Sequence, residues 1–169
     1  MLRDYLELCW FKGYPDELPV ERRFLWINIS IYLVFGLFIQ ANISDPIEAF
    51  MQVFLEVLIT LMFLAVIVIK KGDGFYNFER FLTAILVCEN FIYLMSLPLA
   101  FWFIFAKGSH AEVYPIYIAA FLVCWSLAII SYLLKELFEF NWQISISLSV
   151  LYFLLTYLGS LGLLLMLGL

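Results

Sequence analysis

The sequence predicts an all-α membrane protein, an integral bundle of five transmembrane helices with a short N-terminal interfacial helix. Hydrophobic residues make up 66% of the 169 residues and charged residues 14%, whereas soluble domains are about half apolar and about a quarter charged. The mean hydropathy is +1.03. Apolar runs close to the ~20 residues that cross ~30 Å of hydrocarbon recur along the chain. Helices satisfy their own backbone groups there, so these runs predict helices.

The apolar runs are separated by short charged or turn-forming segments. No linker or low-complexity tract divides the chain, so one transmembrane domain over residues 1–169 is expected. The predicted spans cover residues 24–41, 50–69, 81–105, 114–134 and 144–167.

Residues 1–23 precede the first span and lack the apolar core of a signal peptide. Leu2, Tyr5, Leu6, Cys9 and Trp10 recur at helical spacing, opposite a charged face. This pattern predicts a short helix lying in the headgroup region. The alternative is a frayed polar tail.

Several residues predict where helices begin and end. Pro19 is expected in the first turn of the first long helix, where its missing N–H is no loss. Asp45 and Pro46 are typical of a cap and first position and predict the start of the second. The fourth helix is expected to continue through residues 135–139 along the interface, and residues 141–143 are expected to break it.

The basic residues predict the orientation. With five spans, the N-terminus and the loops after spans two and four share one side. That side would hold eight of the nine basic residues and the other side only Lys107. Because basic residues are retained in the cytoplasm, the N-terminus is predicted cytoplasmic and the C-terminus outside. The eight are Arg3, Lys12, Arg22, Arg23, Lys70, Lys71, Arg80 and Lys135.

Two spans carry carboxylates inside their apolar runs. An intramembrane glutamate can serve as a proton relay or cation site. It can equally be a structural group that hydrogen-bonds a neighbouring helix, since apolar neighbours offset its insertion cost of roughly 2–3 kcal/mol. The polar candidates are Gln52, Glu56 and Thr60 on one face of the second span, and Glu89, Asn90, Tyr93 and Ser96 on the third.

The short turn at residues 72–74 predicts that spans two and three are antiparallel neighbours. Counting back from it places Glu56 level with Tyr93 and Ser96, and Glu89 level with Thr60. At 1.5 Å per residue, the carboxylates would be ~10 Å or more apart along the bundle. This argues against a shared proton and against a two-carboxylate metal site.

Small residues and one proline predict local packing. Pro98 inside the third span predicts a kink, which either shapes the helix or acts as a hinge. Gly159, Ser160 and Gly162 permit close helix approach, either inside the bundle or in self-association. Trp10, Trp26, Trp102 and Trp142 are expected at the interfaces and Trp125 in packing.

No motif for catalysis is present in the sequence. There is no nucleophile elbow, HExxH, Walker loop or GxGxxG, so the chain is predicted to be no enzyme and to need no cofactor or metal. Cys9, Cys88 and Cys124 lack CxxC spacing and are interpreted as packing thiols. His110 is expected to be a solvated loop residue. With no basic stripe, no nucleic-acid partner is expected.

The order of short motifs is similar to that of bacterial relatives of the Yip family of five-span membrane proteins. The matching segments are residues 14–19, 78–84, 96–99 and 130–134. The resemblance implies five spans with a cytoplasmic N-terminus. Eukaryotic members are associated with vesicle traffic and small GTPases, but this chain lacks their long N-terminal segment. No catalytic residue carries over.

These observations predict a non-catalytic protein of a bacterial inner membrane. Its predicted role is that of a scaffold, assembly or membrane-organising factor of the Yip-like type. Its expected partners are membrane lipids, and also other membrane proteins or a second copy of itself. The alternative is a small transporter, or a transporter subunit, that uses Glu56 or Glu89 for proton or cation coupling.

Overall fold

The structure is a computed structural model that describes residues 2–42, 44–71, 75–106, 108, 111 and 113–167. The predicted turn at residues 72–74 and the predicted solvated residue His110 lie outside this part of the chain. Within it every regular element is helical, which confirms the all-α prediction. In chain order these are α1 (Leu2–Leu8), a 3₁₀ turn (Pro15–Glu17), α2 (Arg22–Gln40), α3 (Pro46–Lys71), α4 (Phe75–Ala106), α5 (Val113–Phe138), α6 (Trp142–Phe153), a π-helical segment (Leu154–Gly159) and α7 (Ser160–Leu167).

Five helical stretches in the described chain are long and apolar enough to cross a membrane, as the sequence predicts. They are Arg22–Gln40, Pro46–Lys71, Asn77–Ala106, Val113–Phe138 and Trp142–Met166. The last stretch comprises α6, the π-helical segment and α7, which follow one another as one continuous helix.

The helix start at Pro46 is confirmed, because the Ala49 N–H donates to the Asp45 carbonyl over 2.8 Å. The prediction for Pro19 is wrong, since α2 begins at Arg22 after an extended residue. The Tyr5 hydroxyl of α1 donates to the Pro19 carbonyl over 2.9 Å. That contact ties the extended segment before α2 to α1.

The corner between α5 and α6 differs from the prediction by a few residues. Helix α5 continues to Phe138, as expected, and ends where Glu139 adopts a left-handed φ of 52°. The break therefore covers residues 139–141, and Trp142 is already helical. Phe140 fills the corner, with its ring 5.8 Å from that of Phe138 and 5.3 Å from the Lys71 ammonium.

Helix α4 is the centre of the bundle. Residues 81–90 are all buried, because α1, α2, α3 and α5 contact this helix from different sides. A helix that is apolar all round is expected in such a position. The later half is different, since Phe101, Trp102, Phe103, Ile104 and Phe105 are exposed. The bundle is thus densely packed at one end and open at the other.

The open end contains a large apolar cavity between α2, α4 and α5. Its volume is about 670 Å³, within the range of pockets that hold small molecules. Asn42 and Ser96 are the polar residues at its wall, and the rest is aliphatic or aromatic. Leu99, Phe103 and Ala119 lie on this apolar wall.

Helix α1 packs on the bundle with part of the face that the sequence identified as apolar, whereas Leu2 on that face is 54% exposed. Tyr5, Leu8 and Cys9 are completely buried, and α1 contacts α4. Trp10 remains half exposed while its ring lies 5.0 Å from that of Trp125. Tyr5 and Cys9 of the predicted face are therefore covered by protein, whereas Leu2 and Trp10 remain available to the surroundings.

Candidate functional site

The first part of the site surrounds Glu56 on α3. The Tyr32 hydroxyl of α2 donates to Glu56 Oε2 over 3.4 Å, and Gln52 Nε2 donates to Oε1 over 3.3 Å. The Tyr93 hydroxyl of α4 donates in turn to the Tyr32 hydroxyl over 3.3 Å. Gln40 at the end of α2 donates to Gln52. Three helices thus supply one chain of hydrogen bonds, here called the Glu56 chain: Gln40, Gln52, Glu56, Tyr32 and Tyr93.

The second part surrounds Glu89 on α4. The Tyr152 hydroxyl donates to Glu89 Oε1 over 3.0 Å, and the Tyr157 hydroxyl donates to Oε2 over 3.4 Å. Thr60 Oγ1 of α3 lies 3.1 Å from the Tyr152 hydroxyl. These four residues, Glu89, Tyr152, Tyr157 and Thr60, are here called the Glu89 cluster.

The π-helical segment explains why both tyrosines reach one carboxylate. In an α-helix, residues five apart point about 140° away from each other. A π-helix is wound more loosely, with i→i+5 bonding, and turns such a pair toward the same side. Tyr152 closely precedes the segment Leu154–Gly159 and Tyr157 lies within it. The irregularity therefore brings two hydroxyls to Glu89 where a regular helix would bring one.

A third polar contact joins α2 to α4. Asn90 Nδ2 donates to the Asn28 carbonyl over 3.0 Å and to Asn28 Oδ1 over 3.3 Å. Asn28 Nδ2 donates to the Phe24 carbonyl over 2.9 Å. Each of the two side-chain amide nitrogens thus has an acceptor in an apolar interior, where an unmet donor would be costly, whereas Asn90 Oδ1 is buried without a partner among the described residues.

The structure buries most of the polar residues that the sequence singled out. Gln52, Glu56, Thr60, Glu89 and Asn90 are between 4% and 9% exposed. Tyr93 and Ser96 are half-buried. Ser96 Oγ donates to the Tyr93 carbonyl of its own helix over 2.8 Å and takes no part in the chain or the cluster.

Sequence reasoning missed the tyrosines that satisfy both carboxylates. The last span offers a signal for one of them, because small or hydroxyl-bearing residues recur every three or four positions around Tyr152. All of this stripe is at most 1% exposed: Ser145, Ser149, Tyr152, Thr156 and Ser160. Tyr157 lies off the stripe, so only the π-helical geometry reveals it. Tyr32 has no such signal.

A small cavity lies beside Glu89, between Tyr32 of the Glu56 chain and the Glu89 cluster. Its volume is about 30 Å³, and Tyr32, Thr60, Glu89 and Tyr152 are among its lining residues. The surface facing the cavity is nearly all apolar. A buried water needs two to four polar partners, so the space does not provide a wet path between the carboxylates. The hydroxyls and carboxylates instead bond one another and join α2, α3, α4 and the last span.

The small residues of the last span divide between two environments. Ser160 is completely buried, and a Cβ on Gly159 would lie 3.9 Å from Ile59 on α3. These two positions pack inside the bundle. A Cβ added at Gly162 would meet no atom within 4 Å, so this glycine has open space beside it.

Pro98 lies within the continuous helix α4, and the kink that the sequence predicts there stays a prediction.

The fold and the site together define a class: an all-helical protein with five helices suited to crossing a membrane and a buried carboxylate–tyrosine site. Five such helices suggest a multi-pass membrane protein. In the described part of the chain, no three His, Cys, Asp or Glu side chains are placed to hold a metal ion. No protein-family model, curated protein or solved structure matches this chain.

Proposed function

We propose that the chain is a non-catalytic, multi-span membrane protein of a bacterial inner membrane, which acts as a scaffold or assembly factor of the Yip-like, membrane-organising type. It binds lipids and membrane-protein partners, or a second copy, through its outer helix faces. The observation that carries this proposal is the sealing of both carboxylates. Glu56 and Glu89 are each 4% exposed and already accept two hydrogen bonds.

The orientation belongs to the same proposal. Arg22 Nε lies 3.2 Å from Glu79 Oε1, so α2 and α4 begin at the same end of the bundle. The Lys71 contact with Phe140 brings the end of α3 and the α5–α6 corner to that end as well. Clustering of basic residues at one end supports a cytoplasmic N-terminus and a periplasmic C-terminus.

The 670 Å³ cavity is the part of the surface best suited to a ligand. It lies between helices suited to crossing a membrane, so its surroundings are expected to be lipid hydrocarbon. Its apolar wall offers little to a polar solute. An acyl chain of a phospholipid is therefore the occupant that we propose, held at the end of the bundle that carries few basic residues.

Substitution of Ala119 by tryptophan tests this binding site. Ala119 lines the cavity, and the indole would fill the volume that an acyl chain needs. We expect Ala119→Trp to retain fewer phospholipids than the wild-type chain when both are purified from phosphatidylethanolamine–phosphatidylglycerol vesicles and counted by native mass spectrometry. Pull-downs of the same variants from cell membranes in mild detergent would report their protein partners.

The neighbouring residue provides the matched control. Ala120 is exposed on the same helix and does not line the cavity. Ala120→Trp should therefore retain lipid as the wild-type chain does. If both variants and the wild type retained the same number of phospholipids, the lipid site would be refuted. If substitutions on every outer helix face left the set of co-purified proteins unchanged, the scaffold role would be refuted.

The rival function is transport coupled to Glu56 or Glu89. A specific observation favours it: the Glu56 chain links Gln40, at the open end of the bundle, to Tyr93 in the interior. Such hydroxyl and carboxylate series can relay protons in membrane proteins. The apolar cavity beside Glu89 interrupts a wet route, which is why transport ranks second.

A proton-flux measurement separates the two functions. Glu89→Gln keeps the size of the side chain and removes the titratable group, and Glu56→Gln does the same on α3. In proteoliposomes with an imposed pH gradient and an internal pH dye, the scaffold proposal expects wild type and both variants to match protein-free vesicles. Flux in the wild type that either substitution abolishes would establish the rival.

A further inference from the structure

Two cysteines far apart in sequence meet at the contact between α1 and α4. Cys9 follows the last residue of α1, and its Sγ lies 3.3 Å from the Sγ of Cys88. The exposed fractions of the two residues are 0% and 3%, and both thiols are free. Cys124, on α5, is exposed and is also free.

The surrounding contacts hold Cys9 against Cys88. Trp125 Nε1 of α5 donates to the Cys9 carbonyl over 3.0 Å. Leu8, the preceding residue, is fully buried in the core. A disulfide has an S–S distance of about 2.05 Å, so the sulfurs need to approach by only about 1.3 Å from positions already facing each other.

We propose that Cys9 and Cys88 are a redox modification site, where a peroxide-type oxidant converts the two thiols to an intramolecular disulfide that ties α1 to the centre of the bundle. The inference does not depend on the scaffold or the transport function. At the cytoplasmic end, where the basic residues predict that α1 lies, thiols are kept reduced. The dithiol is then the resting form, and the disulfide forms under oxidative stress.

The two thiols and one molecule of hydrogen peroxide are the only reactants that the reaction needs. The Cys9 thiolate attacks one oxygen of hydrogen peroxide, the O–O bond breaks, and a sulfenic acid and hydroxide form. Cys88, losing its proton, then attacks the Cys9 sulfur, and the S–O bond breaks as the S–S bond forms. Two thiols are oxidised and one peroxide is reduced to two waters.

Cys9 is the sulfur that reacts first. A hydrogen bond with Cys88 lowers the pKa of the Cys9 thiol below its usual value, and burial opposes this shift only in part. Cys9 also lies at the end of a seven-residue helix. Local opening of so short a helix uncovers less buried surface than opening of α4 would, and it gives a small oxidant such as peroxide access to Cys9. Cys88, in the middle of α4, then resolves the sulfenic acid.

Alkylation counting tests this site on the full chain in detergent. The chain has three cysteines, so after full reduction, denaturation and N-ethylmaleimide treatment, intact mass should show three adducts. After hydrogen peroxide treatment of the folded protein, we expect one adduct, on Cys124, and a polypeptide lighter by two hydrogen atoms. Dithiothreitol should restore all three adducts.

Two variants show which cysteines lose their label. In Cys124→Ser, peroxide should abolish labelling altogether, while in Cys9→Ser the label on Cys88 should persist after peroxide. Retention of both labels in oxidised Cys124→Ser would overturn the proposal. So would loss of label through added oxygen atoms, or through a dimer on a non-reducing gel, because neither product is the intramolecular disulfide.

Discussion

Replacement of Tyr152 by alanine is expected to lower the free energy of unfolding by about 3–5 kcal/mol, the usual range for truncating a large buried aromatic residue. Tyr152 is 1% exposed, and its ring centroid lies 5.3 Å from that of Phe63. Its hydroxyl joins Thr60 to Glu89. The substitution removes the ring from the core and leaves Glu89 with one donor fewer. Unfolding by SDS in mixed micelles, followed by tryptophan fluorescence, measures the loss.

Two companion variants separate packing from hydrogen bonding. Tyr152→Phe keeps the ring and should cost only about 0.6–1.7 kcal/mol, since side-chain hydrogen bonds inside membrane proteins contribute modestly. Tyr117→Ala truncates a tyrosine that is 69% exposed and should be close to neutral in the same assay. If Tyr152→Ala matched Tyr117→Ala, the proposed role of Tyr152 in joining the last span to α3 and α4 would be wrong.

Introduction of leucine at Gly36 is expected to destabilise the contact between α2 and α3 by about 1–3 kcal/mol, the typical cost of overpacking. A Cβ at this position would lie 3.1 Å from Val53 Cγ1 and 3.3 Å from Val53 Cγ2. Val53 is 2% exposed, and a β-branched side chain in a helix has essentially one rotamer available. It therefore cannot move aside, and the helices must separate. The same SDS unfolding assay reports the change.

Two further substitutions serve as the control and the rescue for Gly36→Leu. Gly162→Leu makes the same substitution at a helical glycine with nothing within 4 Å, so it includes the gain in helix propensity without the clash. Val53→Ala removes the methyl groups that Gly36→Leu would meet, and the double variant should recover much of the loss. If Gly36→Leu cost the same with and without Val53→Ala, the clash with Val53 would not be the cause.

Both variants act on contacts that link separate helices, and the two ends of the bundle differ in how many such contacts they have. Around residues 81–90 of α4 every position is buried. Beyond Ser96 the same helix lines a cavity of about 670 Å³. Substitutions of residues packed between helices, such as Gly36 and Tyr152, should therefore affect stability, and those of residues that line the cavity should affect what the protein binds.

Much of the architecture follows from the sequence alone. Apolar runs of about 20 residues leave helices as the only open-ended structure that satisfies the backbone in lipid. Pro46 after Asp45 marked the start of α3 because cap and first-turn chemistry is local. The burial of Gln52, Glu56 and Thr60 on one face is likewise a matter of helical spacing. These features depend on neighbours within a few residues.

The partners of the carboxylates, in contrast, depend on tertiary structure. Tyr32 and Tyr157 reach Glu56 and Glu89 from other helices, and no sequence pattern pairs these residues. Tyr157 does so through a π-helical turn that no spacing rule predicts. Cys9 and Cys88, separated by 79 residues, meet only because α1 folds back onto α4. Sequence periodicity specifies which face of a helix is buried, whereas the three-dimensional arrangement of the helices decides which residues that face meets.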